Sequence, residues 1–323
     1  MASVFMPTIL LPATVPDKKK RQPHGVPARN PASAGAPALG LTPRTRAAIM
    51  EGMRIPFLIL ALAAALLAAA PCHAASLWVK GVTPERGWYD ADKSLDRDGD
   101  LCWGSTAANM VAWWQDRHPR ETAASRAPKG LAAVWNAFRA AFQDSLGSTY
   151  HCLRWWMDGT PPPPQMKRAA DAKGRHAPAP LRERDLLLYK APAFDGSGDL
   201  SATLKHLLER GYAVALGLRQ YDSAGHELLS GGHMVSLWGL EYNDATGAVT
   251  RLHLTDSDDV VGNWPQHQRG LFAADCTPVP DLRYSGGTPF PGLTLTNRLG
   301  WFRPNTTITT IVALHADAGC RPN

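Results

Sequence analysis

The sequence predicts an α+β fold with a helix-rich N-terminal lobe and an antiparallel β C-terminal lobe. Two textures along the chain predict it. Before about residue 210 the apolar residues recur at helical spacing, and after it they gather into short runs separated by turn residues. A third observation places chemistry between the two halves. Cys102 opens an apolar helical run, and His233 opens a strand-like run far downstream, so the two layers can meet at a cleft.

The elements follow in order. Leu77 begins Leu-Trp-Val-Lys-Gly-Val, a short strand, and Asp90 to Asp100 is an acidic loop. Ala107, Met110, Val111 and Trp114 share one face of a helix over Trp103 to Arg117. Leu131, Val134, Trp135, Phe138 and Phe142 make a second helix over 130–142. His151 to Met157 is aromatic and apolar, and Pro161 to Pro164 breaks the chain into a surface loop reaching His176. Leu186 to Tyr189 reads as a strand, and Leu200 to Arg210 as a helix closed by Gly211. Strands follow at Tyr212 to Leu218, His233 to Glu241, Val249 to Thr255 and Thr307 to His315. There is no internal repeat.

The N-terminal part is expected to stand apart from the folded body. Ile55 to Ala70 is almost unbroken Leu, Ala and Ile, with Arg54 before it and Pro71-Cys72-His73-Ala74-Ala75 after it. That is the pattern of a secretory signal over residues 53–75 rather than of a membrane span, so the chain is expected to be secreted or periplasmic, with no membrane partner after cleavage. Residues 1–52, rich in Pro and Ala, read as a disordered or mis-assigned extension, leaving 76–323 as the folded domain. The charge divides the same way. The chain carries a net +6, and residues 1–75 hold eight Lys or Arg against two acids, so the remainder is neutral. A neutral body argues against a nucleic-acid partner.

Four cysteines remain in that body, at 102, 152, 276 and 320. In an exported protein each is a disulfide candidate, and Cys276 with Cys320 is one pairing the positions allow. A nucleophilic Cys102 must stay free. At a helix start, the dipole and unpaired amides stabilise a thiolate. His233 follows two glycines, and Asp256 ends the next strand, where a hairpin brings it beside the imidazole. A thiol, a base and a carboxylate that orients the base are what a cysteine hydrolase needs. The order Cys, His, Asp along the chain matches papain-like proteases.

Other motifs are weaker. Asp96-Arg97-Asp98-Gly99-Asp100 alternates acids, but its glycine is misplaced for a calcium loop. No His-Glu-x-x-His, Cys-x-x-Cys or Gly-x-Ser-x-Gly is present, and neither a metal nor a cofactor is expected. The eleven tryptophans all lie after residue 75 and read as core, with Trp103 and Trp238 flanking the site.

Gly81 to Pro84, Gly87 to Asp90, Lys93, Asp100 to Cys102, Ala108 to Met110 and Trp113-Trp114 together resemble the immunoglobulin-degrading cysteine endopeptidases of the IdeS/Mac type. His233, Leu237 to Gly239 and Thr255 to Asp258 extend the resemblance into the second half. It covers about residues 79–114 and 212–259 and leaves 119–192 unmatched; Trp103-Gly104 stands where the family has Gly-Ala. The resemblance implies a papain-like fold and a secreted endopeptidase acting on a protein substrate, immunoglobulin among the candidates. It implies Cys102 as nucleophile, His233 as general base and acid, and Asp256 as the orienting carboxylate. Asp258 is implied as a support, and Lys93 as a donor in the oxyanion hole. A papain-fold acyltransferase or amidase would use the same residues, and a catalytically inactive module that binds a host protein is the alternative outside enzymes.

Overall fold

The structure is a computed structural model that describes residues 74–94, 96–167, 174, 176, 181–191, 199–221, 232–258, 270–282, 290–296 and 306–320. The predicted extension, nearly all of the signal segment and most of the loop before His176 lie outside the described residues.

The expected helix-rich, papain-like two-lobe α+β fold is not what forms. The centre of the fold is a closed antiparallel barrel of six strands, in the order β4–β3–β8–β7–β6–β5, with β5 pairing back onto β4. The strands are β3 (Tyr212–Gln220), β4 (His233–Asn243), β5 (Val249–Thr255), β6 (Phe272–Leu282), β7 (Phe290–Leu295) and β8 (Thr306–His315). Two more strands lie on it: β1 (Ala74–Trp78) pairs with β4, and β2 (Leu186–Lys190) pairs with β8. Among the described residues there are five α-helices: α1 (Cys102–Arg117), α2 (Pro119–Ala124), α3 (Leu131–Ala141), α4 (Thr149–Asp158) and α5 (Leu200–Glu209).

The physical reason for the correction lies in β6 and β7. Neither was legible as a strand, because Pro278 and Pro280 interrupt the first and Pro291-Gly292 the second. Proline cannot donate to a ladder and is tolerated only where one side of the strand is unpaired. Among the described residues β5 pairs with β6 over Phe272 to Asp275, so Pro278 and Pro280 lie beyond that ladder. These two strands close the barrel, and closure removes the free edges that an open sheet would present.

The barrel wall explains the texture of its strands. Tyr212 to Leu218 is buried at every position, as is nearly all of β8. The helices α1 and α5 pack against β3, and β2 pairs along β8, so both strands are enclosed and read as continuous apolar runs. The helix α1 is enclosed as well. Every residue from Cys102 to Gln115 is buried, where the sequence suggested one buried face. Its small residues, Gly104, Ala107, Ala108 and Ala112, let neighbours approach on all sides. The segment around His151 and Cys152, unassigned in the sequence, is the helix α4.

Candidate active site

Five residues from three segments converge at one place. Cys102 is the first residue of α1, preceded by Leu101 with no side-chain cap. The first-turn amides are therefore not taken by a capping side chain, and they favour negative charge at the sulfur. His233 is the first residue of β4, Asp256 follows β5, and the β4–β5 hairpin sets Ser236 opposite Thr255. The hairpin thus brings His233 and Asp256 together as the sequence order suggested. His233 Nε2 donates to Asp256 Oδ1 over 2.6 Å. The other ring nitrogen is left for the hydrogen bond that His233 makes with the Cys102 thiol.

Lys93 and Asp258 complete the cluster. Lys93 is buried, and its Nζ lies 2.6 Å from Asp258 Oδ1 and donates to the Gly99 carbonyl over 2.5 Å. The ammonium has three protons to give, and the Gly99 carbonyl takes one of them. Its backbone is fixed too, since the Lys93 amide donates to the Ser257 carbonyl over 3.0 Å. Asp258 also approaches His233, with Oδ2 3.8 Å from Nδ1. The Asp258 amide donates to Asp256 Oδ1, so the acidic turn holds its own first carboxylate in place.

The charges balance in a way that activates the thiol. Burial alone would raise the Cys102 pKa, but the His233 hydrogen bond and charge, the Lys93 ammonium and the Met234 amide outweigh it and hold it below its usual value. Burial would lower the His233 pKa, but Asp256 and the Cys102 sulfur hold it well above the usual imidazole range. Asp256 is buried yet kept below the usual carboxylate range by His233, the Asp258 amide and Lys93. Both directions favour a thiolate beside an imidazolium, with a carboxylate behind it.

His233, Asp256 and Asp258 also present three ligand atoms within 4.8 Å of one another, a geometry that could hold a metal ion. The Lys93 ammonium already fills that role against Asp258, and a protonated His233 does so against Asp256. A divalent ion would have to displace both protein cations, so the donor set does not favour one.

The surrounding polar groups act as struts. Asn109, on α1, donates through Nδ2 to Ser236 Oγ on β4 over 3.0 Å, and its Oδ1 accepts from the Ala91 amide. One side chain thereby ties the nucleophile helix, the base strand and the lysine loop together. Asp98, in the acidic loop, accepts from the Ser94 amide and pairs with Arg139 at 3.0 Å. Trp238 donates to Thr255 Oγ1, which donates to the Tyr89 carbonyl beside the site. Trp238 is core rather than lining, whereas Trp103 lines the cleft. None of these struts was assigned a role from sequence; Asn109 lay inside a matched segment, but its partners are distant in the chain.

The cluster opens into a cleft of about 820 Å³, bounded by Trp103, Leu146 and Gly147 on the helical side and by β2, β3, β4 and β8 on the barrel side. The lip on the helical side is held by hydrogen bonds and close packing. Trp103 Nε1 donates to the Ser145 carbonyl, Thr149 Oγ1 donates to the Trp103 carbonyl, and a Cβ on Gly147 would lie 2.2 Å from the Trp103 ring. Leu146 stands 74% exposed on that lip.

No protein-family model matches this chain, and no curated protein does. The other cysteines differ from Cys102. Among the described residues all four are free, so the sequence-allowed Cys276–Cys320 bridge is not formed. Burial pushes Cys152 well above the usual thiol range and Cys276 up to about 12. Cys320 lies 3.3 Å from His118 Nδ1, but burial and the charges of Glu121 and Asp317 push it up to about 11. A second Cys–His contact without a thiolate is not a second nucleophile.

Proposed function

We propose that this protein is an exported cysteine endopeptidase. The observation that carries the reading is the buried chain Asp256–His233–Cys102 with the Lys93 ammonium beside it at the floor of a cleft. Cys102 attacks a peptide carbonyl as thiolate, and the carbonyl oxygen becomes an oxyanion facing Lys93 and the Cys102 amide. The tetrahedral adduct collapses to a thioester, and the amine leaves with the proton held by His233. His233 then takes a proton from water, the hydroxide equivalent attacks the thioester, and the acid and Cys102 are released. Asp256 keeps the ring oriented and stabilises its charge throughout.

The resemblance to immunoglobulin-degrading endopeptidases supports a protein rather than a small amide as substrate, with immunoglobulin as the first to test. Wild type and Cys102→Ala are compared on immunoglobulin and on a broad protein mixture. Discrete cuts in wild type and none in the variant are expected. Acyl transfer to an added amine without hydrolysis would make the protein a transferase, and binding without any cut would make it a recognition module.

A further inference from the structure

One register row crosses the barrel wall of the cleft. Met234 on β4 pairs with Gly217 on β3, Gly217 with Thr310 on β8, and Thr310 with Lys190 on β2. All four residues line the cleft that holds Cys102. The row starts beside the catalytic cluster, since Met234 follows His233 in the chain and both line the cleft with Cys102. It ends at the exposed ammonium of Lys190. In its middle a side chain is missing for a packing reason. A Cβ on Gly217 would lie 2.8 Å from Thr310 Cβ and 3.1 Å from Met234 Sδ. The glycine leaves a trough between its neighbours.

Strands stand about 4.8 Å apart, so three spacings place Lys190 about 14 Å from the Met234 end of the row. An extended peptide advances about 3.3 Å per residue, so it covers that span in about four residues. Among the described residues no carboxylate pairs with Lys190. A second cation, Arg219, also borders the cleft and packs against Gly232 beside the base.

We infer that this row is the floor of an extended substrate site, and that Lys190 selects an acidic side chain about four residues from the bond that is cut. The inference rests on the endopeptidase reading and adds to it a substrate class. The charge is placed where bulk water still reaches it, so it tunes selection without entering the chemistry. An exposed pair contributes up to about fivefold in affinity, and reversing the charge about doubles the free-energy swing. The expected change in preference is therefore up to about 25-fold.

The test uses cut sites mapped by mass spectrometry in a proteome-derived peptide library, for the full chain and for Lys190→Glu. Wild type is expected to enrich Asp or Glu at one position three to five residues from the cut. Lys190→Glu is expected to replace that enrichment with Lys or Arg. Cuts without acidic enrichment, or enrichment that survives the variant, overturn the subsite and leave the protease. Binding of acidic over neutral peptides to Cys102→Ala, measured by fluorescence anisotropy and lost in Cys102→Ala/Lys190→Glu, separates the two claims. That binding in a protein whose wild type cuts nothing keeps the subsite and overturns the protease; no binding preference and no cuts overturn both.

Discussion

Two helices of this fold each bury a cysteine near their start, and the two thiols are driven in opposite directions. Cys102 opens α1 and Cys152 is the fourth residue of α4, and neither helix has a side-chain cap. Burial opposes ionisation at both. At Cys152 nothing answers it, and the thiol is pushed well above its usual range. At Cys102 the barrel supplies His233 and the acidic turn, and the loop before the helix supplies Lys93, so the direction reverses. Reactivity here is a property of the partners brought to the helix start, not of the helix start alone.

The largest expected effect comes from removing the partner that makes the difference. His233→Ala should lower turnover by about 10²–10⁴-fold, the usual worth of a positioned acid–base group. It should also make Cys102 resemble Cys152 in alkylation by iodoacetamide at neutral pH. In wild type, Cys102 is expected to label quickly and Cys152 only after unfolding. An unchanged Cys102 labelling rate in the variant would break the comparison. The pH dependence follows from the two directions. Activity needs thiolate and imidazolium together, so it falls on the acid side as Cys102 protonates, below the usual thiol range. It falls on the alkaline side as His233 deprotonates, well above the usual imidazole range. Asp256→Asn should narrow that window from both sides. The imidazolium loses its support and deprotonates at lower pH, and the thiolate beside a weaker cation protonates at higher pH.

Lys93 ranks next. Lys93→Met removes the donor facing the oxyanion and should lower kcat by about 10²-fold with little change in KM. It also leaves the buried Asp258 carboxylate without its cation, which destabilises the fold by several kcal/mol. The double variant Lys93→Met/Asp258→Asn distinguishes the two roles. It should recover much of the lost thermal stability without recovering kcat. Recovery of both would reduce Lys93 to a structural ion-pair partner.

The site was far more legible in the sequence than the fold was, and for a physical reason. Cys102, His233 and Asp256 carry chemistry in their side chains, and their order along the chain is enough to suggest a relay. Lys93 and Asp258 came only through resemblance, because a lysine in an acidic loop carries no local sign of burial. The barrel had no such sign. β3 and β8 announce themselves as apolar runs, but closure depends on β6 and β7, whose prolines imitate a loop. Closure is decided by register between strands far apart in the chain, and no local composition encodes that. The row from Met234 to Lys190 is invisible for the same reason, since its four members come from four strands.

The smallest effect concerns the struts, and it sharpens the comparison most. Asn109 ties α1 to β4 and to the loop two residues before Lys93, whereas Thr149 ties α4 to α1 through the Trp103 carbonyl. Both are buried, and each removal leaves a polar group unpaired at about 1–3 kcal/mol. Asn109→Ala should lower thermal stability by that amount and kcat by a further few-fold at a temperature where the protein stays folded, because it loosens the spacing between Cys102, His233 and Lys93. Thr149→Val should lower stability similarly and leave kcat unchanged, because the α4 side positions the cleft lip rather than the reacting groups. Thermal melts and kcat measured on the pair decide it. Equal losses of kcat would mean that the two helices are one mechanical unit, and that the site depends on the whole helical layer rather than on the junction of α1 with the barrel.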